Sequence, residues 1–466
     1  MNTRDDPGLY AKSETIHPRS VSGRFRRWKF AAATLLVPWW HLAPFLRWDR
    51  GPGAPDQAIL IDLAGRRAYC FGLEIWPQEI YYLTGILVVA AIALFLISAL
   101  YGRVWCGFLC WQTVYTDLFV QVERLLIGDR TRRIALDRAP WGPAKLARKA
   151  GVHLIWLIIS AACGLSFALY FGDAPTMLPA VLRGEESAAV YGAIAVVGGF
   201  CYLLAGHARE QVCLYMCPYS RFQAAMFDEH SLIVAYEPWR GEPRGYWRRG
   251  QSFAGRGHCI DCRMCVAVCP TGVDIRDGSQ LGCIGCGLCI DACDAIMDRA
   301  GLPHGLISWD SIASQAARAA GSPARRRLVR PRTLVYGAIL AVSIGLIGWS
   351  LSARTTTELT VLHERALLYV RLSDGSIRNG YVLKVQNMVR RDRWFDLAVE
   401  GLDGTRLSVI GGGPPLKVAA DSVGSFTVFV TAAAATGRRL PLTFVLRDRA
   451  DGREIRTESL FVGPDR

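Results

Sequence analysis

The sequence predicts a multi-domain integral membrane protein. It combines an α-helical membrane bundle of about five spans, a cysteine-rich insertion before the last span, and a C-terminal all-β, immunoglobulin-like sandwich. Three observations lead there. Five apolar stretches (30–46, 80–100, 152–171, 188–205 and 334–351) are separated by charged segments and are close to bilayer-spanning length. One cysteine spacing occurs twice between Gly257 and Asp294. From Thr356 to Arg466 the chain alternates short apolar–polar runs with turn residues, the pattern of many short strands.

In chain order, residues 1–27 form a polar, basic tail suited to anionic lipid. Residues 28–206 carry the first four spans, and residues 207–332 form a cytoplasmic segment. A fifth span follows at 333–352, and 353–466 form the outer domain. The first stretch is broken by Pro38, His41 and Pro44 and lacks a small-residue cleavage site, so it reads as an uncleaved anchor. The formal net charge of +14 belongs to a membrane protein rather than a nucleic-acid binder. Arg24, Arg26, Arg27 and Lys29 precede span one, and the segments around 103–149 and 207–332 are Arg-rich. The short 172–187 segment has only Arg183. This bias orients the chain in the bacterial inner membrane with its N-terminus and cysteine-rich insertion in the cytoplasm and its C-terminal domain in the periplasm.

The insertion, at about 250–310, reads Cys259-x2-Cys262-x2-Cys265-x3-Cys269-Pro270, then Cys283-x2-Cys286-x2-Cys289-x3-Cys293-Asp294. This is the ligand spacing of a two-cluster bacterial ferredoxin, in which the fourth cysteine of each run serves the other cluster. One 4Fe–4S cluster is therefore assigned to Cys259, Cys262, Cys265 and Cys293, and the second to Cys283, Cys286, Cys289 and Cys269. Zinc sites rarely use eight cysteines in two such runs, and a disulfide framework would not repeat its spacing. A reducing compartment suits so many thiols.

Two further pairs lie where spans end. Cys106-x3-Cys110 and Cys213-x3-Cys217 are each followed by x2-[Thr/Ser]-x-[Tyr/Phe], an internal repeat. On a helix, i and i+4 share a face, so the four thiols together would make a soft-metal site for Cu(I), zinc or iron–sulfur. Cys70, Cys163 and Cys201 have no such spacing and read as small packing residues. His207 and His230 read as structural histidines, and the 112–127 segment as an amphipathic helix along the interface. In the last domain, strands are expected near 366–372, 381–385, 395–399, 425–430 and 442–446. No catalytic constellation appears there, so the domain reads as a docking module.

The full-length pattern resembles the FixG/CcoG/RdxA family of cytochrome oxidase accessory proteins. The resemblance rests on Gly102-Arg-Val-Trp-Cys-Gly-Phe-Leu-Cys, Cys213-Leu-Tyr-Met-Cys-Pro-Tyr-Ser-Arg-Phe-Gln, both cluster runs, Gly241-Glu-Pro-Arg-Gly and Asp374-Gly-Ser-Ile-Arg-Asn-Gly-Tyr. One departure is Trp111, where the family has proline. The resemblance implies a part in assembling cbb3-type cytochrome oxidase and a cupric reductase activity. In that scheme Cys106, Cys110, Cys213 and Cys217 bind copper. It also implies partners: membrane lipid, assembly factors such as a copper-transporting ATPase, and a cytoplasmic electron donor, with no nucleic acid. Two other classes stay open, the first because related inner-membrane proteins are electron-transfer subunits. One is an electron carrier to a quinone or partner complex without a substrate of its own; the other is an assembly scaffold.

Overall fold

A computed structural model describes residues 15–51, 53–248, 250–323, 327–364, 368–411, 413, 415–433 and 439–464. Most of the basic tail and part of the Arg-rich run before the last span lie outside the described residues. So do the first two positions of the strand expected at 366–372. The chain divides into two compact units, Met1–Ile347 and Gly348–Arg466.

The first unit is a helical bundle with the cysteine-rich module at one end. Four helices among the described residues are long and apolar enough to span a bilayer: Pro77–Tyr101, Pro143–Phe171, Ala188–Ala208 and Pro331–Ser352. The fifth expected span is a helix at Arg24–Leu42 with Pro38 inside it, and its basic start and broken apolar run keep it off that set. It nonetheless runs the depth of the bundle. Its first turn donates the Phe25 and Arg26 amides to Asp291 of the cysteine-rich module. Its last turn packs Trp40 on Tyr170 and places His41 against Ser166, beside the far end of the Pro143–Ala168 helix. A small antiparallel sheet, Ile59–Asp62, Arg67–Cys70 and Leu73–Ile75, closes that far end, where buried Gln57 donates to the Leu169 carbonyl.

Glycine sets the tightest helix crossing. A Cβ on Gly164 would lie 2.3 Å from the Ile194 carbonyl oxygen, and one on Gly198 would lie 2.9 Å from that of Ser160. Small residues let helix backbones close in this way where lipid supplies no hydrophobic drive for association. The segment expected along the interface is instead a bundle helix, Trp111–Leu126, with Tyr115, Phe119, Val122 and Glu123 buried. Phe119 stacks on Trp156, and Glu123 pairs with both Arg133 and Arg209. Glu123 is paired inside the protein, so the buried stripe of this amphipathic helix marks a bundle face.

The second unit is a two-sheet sandwich. One sheet orders Thr405–Val409, Ser422–Ala432, Ile377–Asn387 and Thr357–His363, with Val370–Arg371 also pairing Ile377–Asn387. The other orders Leu416–Val418, Arg393–Glu400, Arg439–Asp448 and Glu454–Val462. All pairings are antiparallel. Alternation along each strand turns Tyr381, Leu383, Val385, Val428, Val430, Phe395, Phe444 and Leu446 inward to one core.

Candidate metal centres

Two buried cavities lie inside the cysteine-rich module. The first is lined by Cys259, Cys262, Cys265 and Cys293 with Tyr236, Ile296, Met297 and Leu306. The second is lined by Cys269, Cys283, Cys286 and Cys289 with Val234, Ile275 and Ile284, and Cys265 reaches it from the shared wall. Four thiols around an apolar chamber form the donor set of a 4Fe–4S cubane, so the residues fit the group.

The backbone around these cavities is built for close approach. Gly285 and Gly287 have φ of +67° and +71°, which glycine adopts without strain. A Cβ at Gly287 would also strike the Phe25 ring at 2.5 Å. Asp294, which stands where the first run has Pro270, accepts the Gly305 amide at 3.0 Å and ties the end of the second run to the next loop. Arg276, nearly buried, bridges Asp274 and Asp261 on the loop carrying the first three cysteines. Burial pushes the Cys265 thiol up to about 11 and that of Cys286 up to about 12. These are neutral thiols until a metal displaces their protons.

The two C-x3-C pairs adopt matching local structure. Cys106 lies in a π-helical turn, Trp105–Leu109, and Cys213 in another, Val212–Met216. Such wide turns recur at functional sites. Each turn ends at the second cysteine in extended conformation, Cys110 at φ −66°, ψ 126° and Cys217 at φ −81°, ψ 110°. Each of these cysteines is also the N-cap of the next helix, Trp111–Leu126 or Pro218–Met226. Trp111 therefore takes the first helical position that Pro218 takes in the second pair, and the loss of proline does not change the turn.

The four thiols converge. The field at Cys106 includes those of Cys110, Cys213 and Cys217, and burial first, then these neighbours, push it up to about 12. Cys213 is pushed up to about 11 by burial, Cys110 and Cys217, with Glu210 adding a smaller effect. Among the described residues, no three His, Cys, Asp or Glu side chains lie close enough to grip one ion. The eight cysteines of the module share that property, as expected where a cubane would hold its ligands apart.

In the sequence Arg103 stands out only as a topogenic charge, yet it links the centres. One guanidinium nitrogen donates to the Leu281 and Cys283 carbonyls at 2.5 and 3.1 Å, the other to the Ser220 carbonyl at 2.5 Å. It thus joins the first pair's loop, the second pair's helix and the second cavity's ligand loop. Its adjacency to Gly102 and Cys106 is the available signal. Gly107 meets the same loop, since a Cβ there would lie 2.9 Å from the Gly285 carbonyl and 3.0 Å from the Cys286 Cα. Gln223, fully buried, accepts from the Cys106 thiol at 3.4 Å and donates to Ser98. His207 stacks with His153 beside Trp156 and Tyr202, and His230 faces Glu229.

Membrane helices joined to paired cluster-type cysteine cavities define a membrane-bound iron–sulfur electron-transfer protein. Residues 208–312 match a 4Fe–4S dicluster domain, 83–130 a 4Fe–4S binding domain, and 347–464 the immunoglobulin-like fold at the C-terminus of FixG. The chain is 43% identical over 458 residues to the nitrogen fixation protein FixG of Rhizobium meliloti, covering 91% of this chain and 87% of the relative. Against protein RdxA of Cereibacter sphaeroides it is 46% identical over 431 residues, covering 91% and 90%. Against RdxB of the same organism it is 42% identical over 467 residues, covering 98% and 97%. The chain belongs to the FixG/RdxA family.

Proposed function

We propose that this protein is a membrane-bound reductase that passes electrons from its iron–sulfur module to Cu(II) held by Cys106, Cys110, Cys213 and Cys217, reducing it to Cu(I). Bound cubanes supply one-electron storage. The observation that carries the reading is the backbone contact of Gly107 with Gly285 and Cys286, which sets the four-thiol site directly against the second ligand loop. Arg103 holds the two loops in register and places a fixed positive charge beside both sets of thiols. A small, mostly apolar cavity with Lys29, Asp117, Arg209 and Glu210 in its wall reaches Cys213. Soft thiolates hold Cu(I) better than Cu(II), and this preference favours the electron's arrival: Cu(II) plus one electron gives Cu(I). Delivery of the reduced ion to cbb3-type oxidase assembly factors completes the proposal, with the module facing the cytoplasm and its donor.

A second reading has an observation of its own. The 83–130 match is to a 4Fe–4S binding domain and contains Cys106 and Cys110. On this reading the four thiols hold a third cluster, and the protein is a carrier that passes electrons on to a partner. Cys217→Ser separates the two. The reductase reading expects iron content near wild type, with copper binding and Cu(II)-driven reoxidation of the reduced protein both falling about tenfold or more, roughly 1.4 kcal/mol per decade. Loss of iron from Cys217→Ser replaces it with the carrier.

A further inference from the structure

Cys163 and Cys201 read in the sequence as unrelated packing residues, but the fold brings them together. Cys163 lies on the Pro143–Ala168 helix and Cys201 ends the Ala188–Cys201 helix, and these cross at the Gly164–Gly198 contact. Around the Cys163 thiol stand Cys201, Tyr115 and Trp40; around the Cys201 thiol stand Cys163 and Ser160. Neither cysteine is in a disulfide.

The polar groups beside this pair have little to bond but the two sulfurs. Among the described residues, the Ser160 hydroxyl, on a residue only 2% exposed, meets no acceptor but the Cys201 sulfur, and the Trp40 indole N–H none but that of Cys163. The Tyr115 hydroxyl, on a residue 4% exposed, stands beside the Cys163 sulfur with His41 Nε2 at 3.3 Å, and His41 Nδ1 meets Ser166 at 2.5 Å. Donors inside a membrane bundle that face only weakly accepting neutral thiols are costly, and a purely packing role leaves them unexplained. Alanine would close the crossing as well as cysteine without leaving donors aimed at sulfur. A buried anion at the two sulfurs would satisfy them, because hydrogen bonds to ionised acceptors are about twice as strong as neutral ones.

We propose that Cys163 and Cys201 form a second soft-metal site, a two-thiolate seat for a monovalent d10 ion within the bundle. The step balances without redox chemistry. Two thiols and Cu(I) give one S–Cu–S unit of net charge −1 and two released protons. Trp40 Nε1–H, Ser160 Oγ–H and Tyr115 Oη–H then donate to the sulfurs. The His41–Ser166 contact behind Tyr115 gives that hydroxyl a partner in both states. Two sulfurs hold a monovalent soft ion without the further hard donors that Cu(II) wants. The site rests on the preceding proposal only for the choice of copper, and Ag(I) serves as a redox-silent probe.

The test uses full-length protein, reduced and anaerobic in detergent, with Ag(I) or Cu(I) supplied through a competing chelator. Protection of Cys163 and Cys201 from a membrane-permeant maleimide is read by peptide mass spectrometry. Ag(I) should protect both cysteines in wild type and also in Cys217→Ser. Cys163→Ser/Cys201→Ser should bind one fewer ion per chain with unchanged iron. If that double variant does not insert, Trp40→Phe, which removes one donor, should weaken protection severalfold. Equal labelling with and without Ag(I), or an unchanged ion count in the double variant, overturns the site. A Cys163–Cys201 disulfide in reductant-free protein that fails to take the ion once reduced overturns it too. Intact Cu(II) reduction without protection sinks this inference alone. Protection without any Cu(II) reduction sinks the reductase reading alone.

Discussion

Arg103 shows how one side chain can join two centres. It is 6% exposed and satisfies three carbonyls, two on one loop and one on a helix. Arg103→Gln leaves those acceptors short and removes a buried positive charge, at a cost of about 3 kcal/mol. The expected result is earlier thermal bleaching of the cluster absorbance and a shifted potential for one cluster in an EPR-monitored titration, with the other unchanged. Asp274 offers a pH test. Its hydrogen bonds from Arg276 hold its carboxyl below the ordinary range against the opposing effect of burial. A carboxylate with a depressed folded pKa contributes stability above the unfolded value, near 4, and loses it as pH falls through the folded value. The contribution is modest because the pair is partly exposed. Asp274→Asn should therefore lower stability at neutral pH and flatten the acid limb, measured by the midpoint of chemical unfolding between about pH 6 and 3. A variant whose acid limb keeps the wild-type slope would assign the loss to other carboxylates.

At the scale of elements, the bundle depends on one close crossing. Gly164→Val would drive a side chain into the Ile194 carbonyl, 2.3 Å from its Cβ, and neither backbone can move aside cheaply. Overpacking of this kind costs about 1–3 kcal/mol, so thermal aggregation in detergent should begin several degrees lower. Gly192 is the control: a Cβ there would meet nothing within 4 Å, and its alanine variant should melt like wild type. Because Cys163 is the neighbour of Gly164, the Gly164→Val variant should also lose the Ag(I) protection of the Cys163–Cys201 pair. The paired π-turns teach a related lesson. The C-x3-C spacing is visible in the chain, but an α-helical i, i+4 pair and a wide turn ending in an extended cysteine look alike in sequence. In the first pair, the wide turn is the form that lets Gly107 pack on Gly285.

Over the whole molecule, the last apolar helix fixes where the chain leaves the bundle. Pro331–Ser352 begins beside the end of the second membrane helix, where Arg330 donates to the Ala99 carbonyl, and Ile347 lies against Gly85 near that helix's start. The positive-inside bias expects the module in the cytoplasm and residues after 352 outside. A periplasm-dependent reporter fused after Arg466 should be active, and one fused near Asp310 silent. The opposite pattern would overturn the five-crossing reading. The C-terminal sandwich has its own core and no cysteine, so residues 348–466 expressed alone should melt cooperatively, with a midpoint unaffected by chelators.

What the sequence determined by itself was set by local pattern. Hydropathy marked the apolar helices, a two-residue period marked the strands of Tyr381–Val385 and Leu442–Leu446, and cysteine spacing marked the iron–sulfur module. Each signal reflects chemistry between residues a few positions apart. Tertiary structure decided what depends on distant partners. It kept Arg24–Leu42 one continuous helix through the bundle despite Pro38, because both its ends are anchored to other elements. It turned the amphipathic Trp111–Leu126 segment inward, because Arg133 and Arg209 supply Glu123 with partners. It also brought Cys163 to Cys201 across a glycine contact that no spacing rule encodes, because two helices far apart in the chain fit closely only where neither has a side chain.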